Sequence, residues 1–316
     1  MTQLAEILGA PVFNTVNAKG VVPSSHPLAV GSSGSCTAIR ETFREADVVL
    51  GAGTEFSETD YDLYFDEALA FDGKLIRLDI DAAQLSRNHK PDLAICSDAR
   101  HALVALISAL ERNPPSSNDG AARAQAIRDV VQRARDGRYQ AFFDVIRRAL
   151  PEAIIAGDST QPTYYAFMHY ETEAPRRYFH SASGYGTLGY AIPAAIGAKL
   201  GQPNNPVIAL IGDGAAQFTL GEIASAVDAE TPVIFLIWNN WGYAEIQHYF
   251  EEAGVESVGV DLHTPDFVEL GKSFGCSAHR ARDLEELEDA LKKAAENSRP
   301  TLIEVRQDDF VDGLTS

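Results

Sequence analysis

Asp213 and Asn240 stand at the ends of two apolar runs, and oxygen-bearing side chains so placed can hold a metal diphosphate. Around the first, the chain reads Pro206-Val-Ile-Ala-Leu-Ile-Gly-Asp-Gly. After a helical stretch from Ala215 to Ala229 it reads Pro232-Val-Ile-Phe-Leu-Ile-Trp-Asn-Asn. These residues predict strand, turn, helix, strand. A right-handed crossover makes the strands parallel, about 4.8 Å apart if they are neighbours. Both C-terminal ends then open on the edge where open α/β sheets bind ligands. Asp213 offers carboxylate oxygens and Asn240 a neutral amide oxygen. Mg²⁺ takes such oxygens at about 2.0–2.1 Å and often shares them with a substrate phosphate. Gly212 and Gly214 let the backbone come close to that phosphate. The competing reading is an ordinary βαβ unit whose turn happens to contain Asp and Gly.

The elements that must position these residues lie in a chain of 316 residues, a length that suggests two domains. Its 45% hydrophobic content suits globular α/β cores. The formal charge of −19 argues against nucleic acid and anionic membranes as partners, and fits solubility or a salt-adapted source equally well. Cys36, Cys96 and Cys276 are far apart with no metal-ligand spacing, which fits a reducing cytoplasm better than a secreted disulfide frame. No leader peptide and no membrane-length apolar run is visible in the sequence.

Residues 1–111 alternate short strands with helices. Pro11 to Val16, Ala46 to Gly53, Lys74 to Asp81 and Leu93 to Cys96 read as strands, and Ala99 to Leu110 as a helix. A linker runs from Asn113 to Gly120, and Ala121 to Arg148 is charged and helical, so 112–148 joins the first domain to a second α/β domain over 149–316.

Gly212-Asp213-Gly214, 24 intervening residues and Asn239-Asn240 resemble the thiamin diphosphate motif. The first domain resembles the middle domain of the acetolactate synthase and 2-oxo acid decarboxylase superfamily through Asn17-Ala-Lys-Gly-Val-Val-Pro, Ala46-Asp-Val-Val-Leu-Gly-Ala-Gly-Thr and Leu78-Asp-Ile-Asp. The resemblance implies an α/β fold of two parallel-sheet domains with helices on both faces: an incomplete Rossmann-like middle domain and a diphosphate-binding domain. Gly51-Ala-Gly53 lacks the third glycine of a dinucleotide fingerprint and reads as a tight turn. Some relatives hold FAD there; FAD is not indicated here.

By the resemblance, Asp213 and Asn240 bind Mg²⁺ through their side chains and Gly242 through its carbonyl. Ala215 and Ala216 present N–H groups to the diphosphate, where the start of a helix favours an anion. Ser159, Thr160 and Gln161 follow a strand at Ala153 to Ala156 and could donate to the phosphates; helix capping by Asp158 or Ser159 is the alternative. In the loop Ser183 to Gly189, the Gly186 carbonyl accepts from the 4′-amino group of the aminopyrimidine, and Leu188 wedges between the two cofactor rings. Bending the cofactor brings reacting atoms together, a kind of proximity that lowers barriers by several kcal/mol. On its own, Leu188 would read as core filling. Thr187 and Tyr243 fall in the same cofactor-binding set, Tyr243 as a packing group. His180 and His248 lie near the site and are not assigned as bases.

Family enzymes protonate the pyrimidine N1′ with a glutamate from an N-terminal pyrimidine domain, and no glutamate here matches it. Thr2 to Gly9 reads as the first helix of the middle domain, without the apolar strand expected before it. The chain is therefore expected to bind the cofactor weakly and to be inactive alone, requiring a pyrimidine-domain chain or a missing N-terminal segment, within a homo- or hetero-oligomer. Glu245 and Ile246 fall where relatives line the substrate pocket. Several decarboxylases place a catalytic Glu one residue later, so that role does not carry over; Glu245 could instead pair with a guanidinium tail, or be a solvated helix residue. The run Val258 to Phe267 resembles 5-guanidino-2-oxopentanoate decarboxylases. The alternatives are an acetolactate synthase-like carboligase and a non-catalytic cofactor-binding subunit.

Overall fold

A computed structural model describes residues 1–32, 34–61, 69–113, 115, 119–133 and 137–311. Contacts divide the chain into two units: Met1–Arg135 with Phe167–Arg176, and Asp136–Ala166 with Arg177–Ser316. Much of the linker read at 113–120 lies outside the described residues.

The first unit contains α1 (Thr2–Leu8), β1 (Val12–Phe13), β2 (Ala29–Gly31), α2 (Thr37–Glu45), β3 (Val48–Ala52), α3 (Glu58–Tyr61), β4 (Lys74–Asp79), β5 (Leu93–Cys96), α4 (Ala99–Arg112) and α5 (Gly120–Arg133). Strands β1 and β2 pair in parallel, and β3-β4-β5 form a second parallel sheet. Its core joins Ile39 and Phe43 of α2 to Val49, Leu75, and Ala124 and Val131 of α5. The strand expected over Pro11 to Val16 is only Val12–Phe13, because a 3-10 turn over Val16–Ala18 ends it. That turn presents Lys19, which is buried, donates to the Ser32 hydroxyl and, at 2.7 Å, to the Tyr170 carbonyl, and pairs with Glu171 at 3.3 Å. At Gly20, φ is +79° and a Cβ would collide with the Ala174 carbonyl. These contacts bind residues 167–176 into the first unit.

The second unit contains α6 (Gly137–Ala149), β6 (Ile154–Gly157), α7 (Gln161–His169), β7 (Tyr178–His180), α8 (Ala191–Gly201), β8 (Val207–Gly212), α9 (Asp213–Ala216), α10 (Glu222–Asp228), β9 (Ile234–Asn239), α11 (Ala244–Glu252), α12 (Phe267–Ser273), β10 (Ser277–Ala281), α13 (Leu284–Glu296), β11 (Thr301–Arg306) and α14 (Gln307–Val311). Helix α7 runs across the division between units. The sheet order is β10-β11-β9-β8-β6-β7, parallel throughout. Every residue of β8 and β9 is buried, as expected of a parallel sheet covered on both faces. On one face Ala209, Ile211, Phe235 and Ile237 pack against Ile192 and Ala195 of α8, Ile223 of α10 and Phe267 of α12. On the other, Trp238 meets the Phe142 ring of α6 at 5.4 Å and Phe310 of α14 at 6.1 Å.

The single helix expected over Ala215 to Ala229 is two short ones, α9 and α10. Between them the Thr219 hydroxyl donates to the Gly189 carbonyl at 2.8 Å, drawing the chain out of helical form toward the loop before α8.

Candidate active site

Strands β8 and β9 are neighbours with Gly212 opposite Trp238, so Asp213 and Asn240 emerge side by side at the C-terminal edge. The Asn240 N–H lies 3.4 Å from Asp213 Oδ1, and the Thr264 hydroxyl donates to Oδ2 at 3.1 Å. Asp213 is buried, and that burial raises its pKa against the lowering effect of hydrogen bonds from Asn240, Thr264 and Gly214. One terminal atom of the Asn240 amide lies 3.0 Å from the Gly242 carbonyl oxygen and 3.1 Å from Asp213 Oδ1. As nitrogen it donates to both. As oxygen it completes a triangle of acceptors that only a cation satisfies. Adjacent oxygens of a Mg²⁺ octahedron with bonds of about 2.1 Å are about 3.0 Å apart, which both distances from the Asn240 amide match. Among the described residues no cluster of three or more His, Cys, Asp or Glu could hold a metal. A cation here would rest on one carboxylate, an amide and a carbonyl, leaving positions for phosphate and water, as suits Mg²⁺.

These oxygens open into a cavity of about 380 Å³ built wholly from the second unit, a volume typical of small-ligand sites. Ser159, Thr160, Gln161 and Tyr164 line it from the start of α7; Gly186 and Leu188 from the loop before α8; Gly212, Asp213, Gly214 and Ala215 from the end of β8. Asn240, Gly242, Tyr243, Ala244, Glu245 and Ile246 complete it from the turn after β9. Of the residues expected from sequence, Thr187 is exposed and Ala216 is buried in the core, and neither lines the cavity. Tyr164 and Ala244 are additions. Tyr164 follows Thr160 by four residues along α7, a spacing that could have found it.

The backbone is shaped for close approach. A Cβ on Gly214 would meet the Tyr243 ring at 2.7 Å, and one on Gly242, at φ +154°, would collide with the Val260 carbonyl oxygen. Tyr243 therefore packs, as expected, with its N–H donating to Val260 at 2.9 Å. Gly186 adopts φ +65° with open space where a side chain would be. Leu188 both lines the cavity and packs against the core.

Asp158 takes a different part from the phosphate loop beside it. It is fully buried, accepting from Ser159 N–H and from Ala191 N–H, each at 2.8 Å. It thus caps α8, not α7, and ties the Ser159 loop to the Gly186 loop. Burial raises its pKa more than these bonds lower it. Thr160 Oγ1 is buried and has no hydrogen-bond partner among the described residues, which fits a hydroxyl waiting for an anion. His180 Nδ1 accepts from Ala182 N–H at 3.1 Å, so the neutral ring carries its proton on Nε2, 3.1 Å from the Ser183 hydroxyl. His248 pairs with Glu252 at 3.3 Å on an exposed helix face. Neither histidine lines the cavity.

A parallel sheet that brings one carboxylate, one carboxamide and a glycine carbonyl to a cavity of cofactor size has the form of a cofactor-binding α/β domain. Residues 158–305 match the thiamine pyrophosphate enzyme, C-terminal TPP binding domain, and residues 1–106 match the thiamine pyrophosphate enzyme, central domain. The chain belongs to the thiamine pyrophosphate enzymes. It is 38% identical over 311 residues to a protein of Pseudomonas aeruginosa named as a probable 2-ketoarginine decarboxylase, covering 97% of this chain and 55% of that one. Similarity to an acetolactate synthase of Mycobacterium leprae is 29% identity over 324 residues, covering 96% of this chain and 51% of the relative. The solved thiamine diphosphate-dependent 4-hydroxybenzoylformate decarboxylase of Rhodococcus jostii superposes with a TM-score of 0.76 at 26% identity, covering 96% of this chain and 57% of that one. The chain spans about half the length of the curated relatives it matches. Among the described residues no helix is long and apolar enough to cross a membrane. Cys36, Cys96 and Cys276 are free, and burial pushes the Cys276 thiol up to about 11.

Proposed function

We propose that this chain is the cofactor-binding part of a Mg²⁺- and thiamin diphosphate-dependent 2-oxo acid decarboxylase for a cationic substrate such as 5-guanidino-2-oxopentanoate. The observation that carries the reading is the meeting of the Asn240 amide with Asp213 and the Gly242 carbonyl at a cavity that Glu245 also lines. Asp213, Asn240 and the Gly242 carbonyl hold the cation. Ser159, Thr160, Gln161 and the backbone at Gly214 and Ala215 receive the diphosphate. The Gly186 carbonyl accepts from the amino group of the pyrimidine, and Leu188 sets the angle between the cofactor rings. Thiamin diphosphate, when bound, would supply a carbon nucleophile for the 2-oxo carbon and an electron sink for the bonding pair left behind as CO₂ departs. Glu245 orients the substrate by accepting two N–H groups of a guanidinium, while Tyr164 and Ile246 exclude water around its alkyl stem. Similarity to the Pseudomonas protein supports this substrate class. Carboligation of two pyruvates, as in acetolactate synthases, would leave Glu245 without a cationic partner.

The second half of the reading is that residues 1–316 turn over only together with a pyrimidine domain that protonates N1′. Tyr185, Phe218 and Trp241 on loops and Ile246 at the start of α11 are exposed large apolar side chains at or beside the cavity, which supports a further protein surface covering it in a homo- or hetero-oligomer; we place that assembly in the cytoplasm. The test is to assay the purified chain with Mg²⁺ and thiamin diphosphate against 5-guanidino-2-oxopentanoate and pyruvate, with and without a pyrimidine-domain polypeptide. Turnover is expected only with it, and robust turnover of the chain alone overturns that part. In the reconstituted enzyme Glu245→Gln should raise KM for the guanidino acid about tenfold or more and leave pyruvate unchanged; equal losses remove the cationic substrate.

A further inference from the structure

We propose that Glu304, outside the cavity, is a positioning residue for the metal-binding turn and acts on it through Asn239. The inference rests on the reading that Asp213, Asn240 and Gly242 hold a divalent cation. Glu304 lies on β11 between β10 and β9 and is completely buried. Its Oε2 accepts from Arg280 Nε at 2.7 Å, and its Oε1 accepts from Asn239 Nδ2 at 2.8 Å and lies 3.3 Å from Arg306 Nε. A buried ion pair is a poor device for stability alone, since apolar replacements of such pairs are often neutral. What this one does is fix the Asn239 amide. With Nδ2 committed to Glu304, Oδ1 must face the other way, where it accepts the Trp241 N–H at 3.1 Å.

Trp241 needs holding. It sits at φ +67°, a region that bulky side chains rarely occupy. Arg306, the second partner of Glu304 Oε1, places its guanidinium 4.8 Å from the centre of the Trp241 ring. Glu304 therefore reaches the strained residue twice, through its backbone by way of Asn239 and through its ring by way of Arg306. Trp241 stands between Asn240 and Gly242, so its conformation decides whether the Asn240 amide meets both Asp213 and the Gly242 carbonyl.

The test uses Mn²⁺ as the probe, its binding to the chain measured by electron paramagnetic resonance in the presence of thiamin diphosphate. Glu304→Gln keeps the shape, but its amide cannot accept from both Arg280 and Asn239, so one grip is lost. It should weaken Mn²⁺ about tenfold, within the range for groups that orient metal ligands. Asn239→Ala should do the same, and the loss in the double variant should fall well short of the product of the two single losses, because the two share the arm through Asn239. Wild-type affinity in Glu304→Gln, or losses that multiply in the double variant, overturns the proposal. Should Glu304→Gln fail to fold, Arg306→Met, altering a side chain that is 30% exposed, tests the second arm. It should weaken Mn²⁺ about two- to threefold, and unchanged affinity there also overturns it. A wild-type chain with no saturable Mn²⁺ binding instead defeats the cation reading itself, a result distinct from any pattern among the variants.

Discussion

Two strand ends in this chain carry glycines of the same apparent meaning, and they are used differently: the end of β8 opens onto the cavity and the end of β3 is packed by a side chain. At the end of β3, Gly51-Ala-Gly53 has the look of a ligand loop, yet the Phe56 ring lies 2.7 Å from where a Gly51 Cβ would stand. Behind Phe56 sits Arg77, buried, its guanidinium donating to the carbonyls of Thr54 at 2.8 Å, His89 at 3.1 Å and Arg87, and 5.3 Å from the Phe56 centroid. The glycine makes room for the protein's own aromatic ring, and the cation is spent on backbone carbonyls. At the end of β8, Gly212 and Gly214 are followed by Ala215, the Thr160 hydroxyl has no partner among the described residues, and acceptors face one another around Asp213. A strand end becomes a site when its polar groups are left with something to do.

The largest effect expected from breaking this contrast is at the filled end. Phe56 is 2% exposed, with the Phe71 ring at 5.5 Å and the His89 ring at 5.8 Å. Phe56→Ala should destabilise the first unit by about 3–5 kcal/mol in denaturant unfolding, the usual cost of emptying an aromatic core position. At the open end the order of stability and binding inverts. Asp213→Asn should weaken Mn²⁺ binding in the presence of thiamin diphosphate about a hundredfold or more, beyond what loss of an orienting group costs. It should also leave the melting temperature of the metal-free chain unchanged or higher, because burial disfavours the charged carboxylate and a neutral amide of the same shape escapes that cost. A marked fall in melting temperature would place Asp213 with Phe56, as a residue held for the fold.

Much of the open end was legible because its signals are local. Apolar runs ending in Gly-Asp-Gly and Asn-Asn mark strands, and parallel pairing follows from the helical stretch between them, which is why β8, β9 and their ends are as expected. What was hidden depends on contacts distant in sequence. Nothing near Gly51 announces that Arg77 and Phe56 will close the turn. Residues 167–176 read as part of the second domain until Lys19 and Gly20 are seen to bind them. The break between α9 and α10 comes from one hydroxyl, that of Thr219, whose partner at Gly189 is 30 residues earlier. Asp158 looked like a cap for the helix beside it and caps another, because an N-terminus needs an acceptor in space rather than in sequence.

The smallest effect separates two buried carboxyls, one in each unit. Asp60 accepts from the Val16 N–H at 2.9 Å, and Asp158 from two N–H groups at 2.8 Å. Burial is the largest influence on both and raises both pKa values above 3.8, against the lowering effect of those bonds. The folded state therefore holds each proton more tightly than the unfolded chain does. The stability tied to this protonation is complete below the unfolded value, falls as pH rises through the raised folded value and is flat beyond it. Relative to Asp158→Asn, the wild type should lose stability across that window, as pH rises from the unfolded value to the raised folded one, read from urea unfolding at successive pH values. Asp60→Asn should show the same sign in the first unit. A wild type that instead gains on either variant as pH rises would mean that the N–H bonds outweigh burial, and that these two carboxylates are held charged by the fold.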